Sequence, residues 1–210
     1  MIEVVLCDDH ALVRRGIRQT LAEAVDIRVT GEASSYAEVR ELLRTTPCDV
    51  LLLDIGLPGR SGLEVLGALT EAASPIRVLV VSMFAEEQYA IRSLRAGAQG
   101  YVSKSGDPQE LIAATRTVAQ GRKYVTPEVA QMLAESVSRP ASDNAAHTVL
   151  SDRELQTLVK IASGKRLSDI AEELMLSPKT VSVYRSRVLE KLQLPNNAAI
   201  TVYAIRNNLV

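Results

Sequence analysis

Three carboxylates follow short apolar runs in this sequence and offer its clearest chemistry. Asp8 and Asp9 come after Val4–Cys7, and Asp54 comes after Val50–Leu53. The carboxyl ends of neighbouring strands in a parallel sheet meet in one crevice, so we expect the three acids to lie together. Clustered, buried carboxylates are costly unless a cation joins them or their pKa values rise.

A hydroxyl and an ammonium end two later apolar runs in the same way. Ser82 follows Val78–Val81, and Lys104 follows Tyr101-Val102-Ser103. Acids, a hydroxyl and an ammonium at strand ends predict a site for a divalent metal and a phosphoryl group, whose oxygens Ser82 and Lys104 would bind after transfer. Each residue taken alone favours an alternative without a functional role, namely solvated loop acids and a surface lysine. All five in this order favour the site.

Mg²⁺ suits such a site because it prefers oxygen ligands, keeps several waters and coordinates phosphate directly. In this interpretation Asp54 is the nucleophile that accepts the phosphoryl group. Asp9, helped by Asp8, holds the metal, and the backbone carbonyl of Gly56 is a further ligand.

The elements that must position these residues form a regular alternation up to about residue 121. Apolar, β-branched runs are separated by segments with apolar spacing of three and four, which predicts an α/β fold with a doubly wound parallel sheet of the (βα)5 type. The continuous apolar character of the runs indicates strands buried on both faces. The predicted strands are Val4–Cys7, Ile27–Gly31, Val50–Leu53, Val78–Val81 and Gly100–Val102.

Composition separates the chain into two parts. The formal charge is −4 for residues 1–121 and +3 for residues 150–210, which suits an ion-binding module joined to an anion-binding one. Cys7 and Cys48 are interpreted as small buried side chains. We find no signal peptide and no apolar run near the roughly 20 residues that a membrane span needs, so the prediction is a soluble, cytoplasmic protein without a membrane partner.

The middle of the chain predicts a connection over residues 122–149. Thr126 and Pro127 are typical of a helix start, and that helix would run to about residue 137. The small, polar tract Ser138–Asn144 contains a proline and predicts a flexible linker. Order resumes at Ser151, which forms a predicted capping box with Glu154.

Residues 150–210 predict a smaller all-α domain with two helices joined by a short turn. Leu167–Leu174 is amphipathic, and Ser177-Pro178 is typical of the start of the next helix. That helix has an apolar side interpreted as core and an opposite side that carries cations and hydroxyls with no acid before Glu190. The predicted core residues are Val181, Tyr184, Val188, Leu189 and Leu192. A helical bundle with a solvated basic face is the alternative to a helix that enters the major groove of DNA.

Both parts resemble known families. Residues 3 to about 121 are similar to two-component receiver domains through Asp8-Asp9, the stretch Asp54–Gly62, Ser82 and Lys104-Ser105. The resemblance implies that a sensor histidine kinase phosphorylates Asp54, that Ser82 is the switch hydroxyl, and that Tyr101 is the switch aromatic. Serine replaces the more frequent threonine at position 82, and Ser105 replaces the common proline.

Residues 150 to about 208 resemble the helix-turn-helix domain of the LuxR/FixJ/NarL group. The resemblance rests on Leu150–Glu154, Ser163-Gly164, Ile170–Leu174, Ser177–Tyr184 and Leu189–Leu192. The Thr-Val-Ser-x-Tyr sequence at residues 180–184 resembles the BvgA-like branch of that group. We expect base contacts from Lys179, Ser182, Val183 and Ser186, and phosphate contacts from Thr180, Arg185 and Arg187.

Together the two resemblances imply a response regulator rather than an enzyme. Phosphorylation would switch homodimer formation and the binding of double-stranded promoter DNA, with RNA polymerase as a further candidate partner. Two alternatives stay open: a phosphate-independent DNA-binding protein with an idle receiver, and a phosphatase with an aspartyl nucleophile. The phosphatase class requires a second acid two residues after the nucleophile, where this chain has Gly56.

Overall fold

The computed structural model describes residues 1–72, 74–83, 86–138, 146–207 and 209–210. These residues divide into two compact units, Met1–Ser136 and Val137–Val210. Within the described ranges, no helix combines the length and the apolar character that crossing a membrane requires.

The first unit is built on a parallel sheet with the strand order β2-β1-β3-β4-β5. Its strands are β1 Ile2–Cys7, β2 Ile27–Ala33, β3 Val50–Leu53, β4 Arg77–Ser82 and β5 Gly100–Ser103. The surrounding helices are α1 Ala11–Ala22, α2 Tyr36–Thr45, α3 Gly62–Glu71, α4 Glu86–Arg95, α5 Pro108–Ala119 and α6 Pro127–Ser138. The α/β fold and the parallel sheet predicted from the alternation are therefore confirmed.

The strand order explains why the acids meet. β1 pairs with β3, and the chain leaves β1 for β2 on one side and later returns for β3 on the other. This reversal opens a crevice at the carboxyl ends of the two strands. Asp8 follows β1 directly, and Asp54 follows β3, so both acids lie at this crevice.

The core of the first unit lies between the sheet and its helices. All four residues of β3 are at most 2% exposed, as expected for a strand covered on both faces. Val4, Leu52 and Leu79 from three adjacent strands pack in one cluster with Leu111 and Val118 of α5. Full burial of each such side chain contributes about 1.5–3 kcal/mol, and the resulting rigidity holds the strand ends in place.

The second unit is helical. A 3₁₀ helix, Ala146–Val149, precedes α7 Asp152–Ala162, α8 Leu167–Glu173, α9 Pro178–Lys191 and α10 Asn197–Arg206. The predicted capping box is present: the Ser151 hydroxyl accepts from the backbone N–H of Glu154, and the Glu154 carboxylate accepts from that of Ser151. Ser177 caps α9, with Pro178 in its first turn, as its sequence indicated.

The predicted connection over residues 122–149 is described only in part. The helix predicted near residues 127–137 spans Pro127–Ser138, and the Thr126 hydroxyl accepts from the backbone N–H of Val129 at its start. The predicted linker Ser138–Asn144 has its first residue at the end of α6, and the rest of it lies outside the described residues.

Candidate phosphoacceptor site and nucleic-acid interface

The centre of the first site is an ammonium between two carboxylates. Lys104 Nζ lies 2.6 Å from Asp54 Oδ2 and 2.6 Å from Asp8 Oδ2. The three side chains are at most 5% exposed. A buried ion pair needs such close geometry because desolvation otherwise outweighs the attraction between the charges.

Backbone hydrogen bonds from adjacent strands place these residues. The N–H of Asp54 donates to the Cys7 carbonyl of β1, and the N–H of Asp8 donates to the Ala33 carbonyl of β2. The N–H of Lys104 donates to the carbonyl of Ser82 at the end of β4. Each chemical group therefore continues the hydrogen-bond ladder of the sheet by one step, which limits how far it can move.

Asp9 and His10 complete the acidic cluster. His10 Nδ1 lies 2.7 Å from Asp9 Oδ1 and 3.5 Å from Asp8 Oδ1, although the imidazole is 67% exposed. One ligand atom from each of Asp8, Asp9, His10 and Asp54 can be chosen so that all four lie within 4.8 Å of one another. The contact of His10 with Asp9 was not anticipated from the sequence.

The cluster fits a divalent cation. Asp9 Oδ1 is buried and makes no hydrogen bond, and its close neighbour is the His10 ring. Asp8 Oδ2 also lacks hydrogen-bond geometry, but it lies in ion-pair contact with Lys104. Oxygen donors of this type suit Mg²⁺. The structure therefore offers an acidic cluster that could hold a metal ion.

The Cys7 thiol reflects the negative potential beside these acids. Burial, followed by the charges of Asp54 and Asp8, raises the pKa of Cys7 to about 12. The thiol thus stays protonated at neutral pH, as the interpretation of Cys7 as a small buried side chain requires.

The loop after β3 approaches Asp54 closely. A β-carbon at Gly62 would lie 2.0 Å from the backbone oxygen of Asp54, a distance that no side chain tolerates. A β-carbon at Gly56 would lie 3.2 Å from Asp54 Oδ2, so the Gly56 backbone lies beside the acceptor carboxylate. Sequence reasoning identified Gly56 but gave no role to Gly62, whose signal was only its place at the start of α3.

Ser82 lies at the end of β4, the strand next to β3, and Tyr101 lies on β5, which pairs with β4. Both residues are at most 1% exposed. Ser82 pairs with Ser103 across the β4–β5 ladder, and Tyr101 pairs with Val80. The predicted hydroxyl therefore ends the strand that borders Asp54, and the predicted aromatic lies within the neighbouring strand.

Arg14 is a neighbour of the acids that sequence reasoning missed. Its Nη1 donates to the backbone carbonyl of Asp8 at 2.5 Å, and its Nε lies 3.5 Å from Glu32 Oε2 on β2. The sequence offered little indication of this contact. Arg14 lies one turn inside the helix that begins after the acids, and no sequence pattern shows that its side chain turns back toward Asp8.

The second candidate site lies on α9 of the second unit. Its described surface carries the exposed residues Lys179, Val183, Ser186 and Arg187, while Thr180, Ser182 and Arg185 are partly buried. All seven predicted DNA-contacting residues thus belong to one helix. Val181 and Val188 are fully buried on the other side, as predicted, whereas Tyr184, Leu189 and Leu192 are only half-buried.

Hydrogen bonds order part of this surface. The hydroxyls of Ser177 and Thr180 lie 2.8 Å apart, and the Ser186 hydroxyl donates to the backbone carbonyl of Ser182. Arg185 Nε donates to Asn197 Oδ1 of α10 at 2.5 Å, a contact that the sequence did not indicate. Lys179 and Arg187 have no ion pair or hydrogen bond among the contacts described, so they are the accessible cations of the helix.

The second unit also contains a buried carboxylate, Glu154, that pairs with an ammonium of α9. Burial alone would raise the pKa of the Glu154 carboxyl, but hydrogen bonds from Lys191 Nζ and from the Ser151 N–H outweigh burial and lower that pKa. The Lys191 ammonium lies 2.7 Å from Glu154 Oε2 and so joins α9 to α7. Neither Glu154 nor Lys191 is among the seven predicted DNA-contacting residues.

Comparison with known proteins agrees with both sites. Residues 4–116 match the response regulator receiver domain, and residues 148–204 match the luxR family of bacterial regulatory proteins. The chain belongs to the NarL/FixJ family of response regulators. The predicted resemblance to that family is confirmed; the BvgA-like branch stays a prediction.

Relatives of this response regulator align over its full length. Response regulator UvrY of Escherichia coli K12 is 38% identical over 209 residues, which cover 100% of this chain and 96% of the relative. Response regulator GacA of Pseudomonas aeruginosa is 36% identical over 210 residues, with 100% and 98% coverage. The protein is therefore a phosphorylation-controlled transcription regulator of a two-component system.

A solved structure supports the same conclusion. RcsB from Salmonella enterica serovar Typhimurium, bound to promoter rprA in the presence of the phosphomimetic BeF3-, superposes with a TM-score of 0.65. It is 25% identical, and the match covers 96% of this response regulator and 97% of that chain.

Proposed function

We propose that a sensor histidine kinase phosphorylates Asp54 in a Mg²⁺-dependent reaction, and that the phosphate switches dimerisation and sequence-specific DNA binding. One observation carries the proposal: Asp54 shares the Lys104 ammonium with Asp8 at 2.6 Å on each side. The acceptor is therefore a buried carboxylate that already has a cation at the place where new negative charge would form.

The acids, and not His10, are the proposed metal ligands. Asp9, Asp8 and Asp54 would hold Mg²⁺ with the backbone carbonyl of Gly56, and the bound ion would neutralise charge on both the acceptor and the incoming phosphate. The close neighbourhood of the acids and the buried Asp9 Oδ1 support this assignment.

Ser82, Lys104 and Tyr101 are the proposed switch residues. A phosphoryl group on Asp54 offers new acceptor oxygens to the Lys104 ammonium and to the Ser82 hydroxyl. Lys104 would then exchange part of its contact with Asp8 for the phosphate. Because Ser82 pairs directly with Ser103 on β5, the strand that also carries Tyr101, such a shift changes the surface near β5, which we propose alters homodimer formation.

The surface of α9 is the proposed DNA contact. Lys179, Ser182, Val183 and Ser186 would meet base edges, and Thr180, Arg185 and Arg187 would meet phosphates. The exposed cations and the absence of acids on the helix before Glu190 support it. RcsB, to which this chain is similar over most of its length, is bound to promoter DNA in its structure. A dimer of the present chain would double the few cations that α9 offers to DNA phosphates.

The proposed division has a receiver at residues 1–121, a connection at 122–149 and a DNA-binding domain at 150–210. The two compact units 1–136 and 137–210 support a division of the chain into two domains. We further propose that the regulator works by binding rather than by turning over a small substrate, in the cytoplasm where promoter DNA is, with RNA polymerase as a candidate partner.

An electrophoretic mobility shift on operator DNA tests the proposal. Wild-type protein is compared with Asp54→Asn, each with and without acetyl phosphate and Mg²⁺. We expect acetyl phosphate to tighten operator binding and to produce dimers only in the wild type. Glu71→Gln, which changes an exposed carboxylate of α3, should behave as the wild type. Equal affinity under all conditions would favour the idle-receiver alternative.

A further inference from the structure

Asp8 is restrained through its backbone N–H, its carbonyl and its carboxylate, and Arg14 provides one of these restraints. The N–H of Asp8 donates to the Ala33 carbonyl, while its own carbonyl accepts from Arg14 Nη1. The carboxylate of Asp8 is also fixed, because Oδ1 accepts from the N–H of His10 at 2.8 Å and Oδ2 faces Lys104 at 2.6 Å. Four separate contacts thus define the position of Asp8.

Asp9 has far less direct support. Among the described contacts, its carboxylate meets the His10 ring, which is itself largely exposed. The direction of the Asp9 side chain therefore depends on the peptide that precedes it. The carbonyl of that peptide is the one that binds Arg14, so the guanidinium restrains the plane from which Asp9 projects.

Arg14 is itself anchored at both ends. Its backbone N–H donates to the His10 carbonyl at the start of α1, and its guanidinium lies 3.5 Å from Glu32 Oε2. The side chain is 18% exposed. A planar guanidinium can address a carbonyl and a carboxylate at once, and fewer rotamers are then left to it than to a lysine.

We infer that Arg14 is a positioning residue for metal binding: it holds the Asp8–Asp9 peptide so that the Asp9 carboxylate points into the acidic cluster. This inference rests on the proposed function, because it assumes that Asp9 is a metal ligand. Residues that orient a ligand without touching the metal commonly decide affinity as strongly as some ligands do.

The direction of the change in the Kd for Mg²⁺ distinguishes a positioning role of Arg14 from a simple effect of its charge. Arg14 is a cation near a cation site, so its charge alone opposes the binding of Mg²⁺. Removal of the charge without loss of orientation would therefore tighten binding. Loss of orientation weakens it, and the two explanations predict opposite changes in Kd.

The experiment measures the Mg²⁺ affinity of the full chain by isothermal titration calorimetry for the wild type, Arg14→Met, Arg14→Lys and Arg18→Met. Arg18 is the matched control because it pairs with the same Glu32 at 3.6 Å but does not reach Asp8. We expect Arg14→Met to weaken Mg²⁺ binding about tenfold. Arg14→Lys, which keeps the charge with a single arm, should have an intermediate Kd, and Arg18→Met should match the wild type.

Two further readouts make the result specific. Thermal midpoints in EDTA should be similar for Arg14→Met and Arg18→Met, and phosphorylation by acetyl phosphate should recover at saturating Mg²⁺. Unchanged or tighter Mg²⁺ binding by Arg14→Met would overturn the inference. If Arg14→Met does not fold, a weakened Kd for folded Arg14→Lys supports the inference and an unchanged Kd overturns it. A wild type that binds Mg²⁺ but takes up no phosphate on Asp54 would instead overturn the proposed function alone.

Discussion

The acidic crevice of the first unit and the surface of α9 are organised in opposite ways. The crevice takes its groups from the ends of β1, β3, β4 and β5, and Asp8, Asp54 and Lys104 are nearly inaccessible. The predicted DNA contacts all lie on one helix, and Lys179, Val183, Ser186 and Arg187 are exposed. A phosphate-accepting site needs charges held against each other, whereas a DNA-reading surface must meet a partner that is absent until binding.

This difference teaches where stability and function can be separated. In the crevice each group is also a structural partner of another, so a change alters folding and chemistry together. On α9 the buried residues Val181 and Val188 stabilise the helix while other residues face outward. We therefore expect substitutions there to change DNA binding at constant stability.

Removal of the Lys104 ammonium should have the largest effect. Lys104→Met leaves Asp8 and Asp54 buried without their shared cation, which should lower the free energy of unfolding by about 3–5 kcal/mol. Urea unfolding without Mg²⁺ measures it. Lys123→Met is the control, because that ammonium binds the neutral carbonyl of Ala98. Equally small decreases in the free energy of unfolding for both variants would contradict the idea that the charges of the crevice also stabilise the fold.

Lys179→Ala should have the next largest effect, and it should change DNA binding without changing the stability of the protein. Loss of a base contact should weaken binding to the preferred operator by about 1–3 kcal/mol, with much less change on mismatched DNA. Fluorescence anisotropy measures both affinities, and urea unfolding should stay unchanged. Lys160→Ala is the control, since that ammonium is paired with Glu173. A uniform loss on all sequences would make Lys179 a phosphate contact instead.

Glu154→Gln should reveal the stabilising charges of the second unit. The lowered pKa of Glu154 means that its contribution is present above the unfolded value near 4.5 and is lost as pH falls through the folded value. We expect a loss of about 0.5–2 kcal/mol at pH 7 and a flatter decrease of stability below pH 4.5. Stability measured against pH by circular dichroism tests this. An acid profile identical to that of the wild type would contradict it.

Asn197→Ala should have the smallest effect. Asn197 holds the Arg185 side chain before DNA arrives, so its loss adds about 0.5 kcal/mol of ordering cost to binding. Operator affinity measures the change, and in an Arg185→Ala background the same substitution should do nothing. A larger effect in that background would mean that Asn197 contacts DNA itself.

The sequence carried most of the fold and the centre of the crevice because both depend on local patterns. Short apolar runs that end in Asp8, Asp54, Ser82 and Lys104 place those residues at strand ends in any parallel sheet. The structure extends four of the five predicted strands by one or two residues and leaves Val50–Leu53 unchanged.

The contacts that could not be predicted from the sequence are made by side chains that reach from one element to another. The return of Arg14 to the Asp8 carbonyl and the contact of Arg185 with Asn197 join residues whose spacing fits no local rule. Tyr184, Leu189 and Leu192 were predicted as core from helical spacing, yet they are half-buried. Spacing defines the apolar side of a helix, but the width of the covering surface depends on the neighbouring helices.

The close approach at Gly62 offers a way to sort related sequences whose regulation is unknown. Because even a methyl group there would overlap the carbonyl of Asp54, a chain with the same acids but a larger residue at this place must route its loop differently. Such a chain would keep every charged group of the crevice and still present its acceptor at another angle. The presence or absence of glycine at this position therefore indicates whether two regulators share the same acceptor geometry.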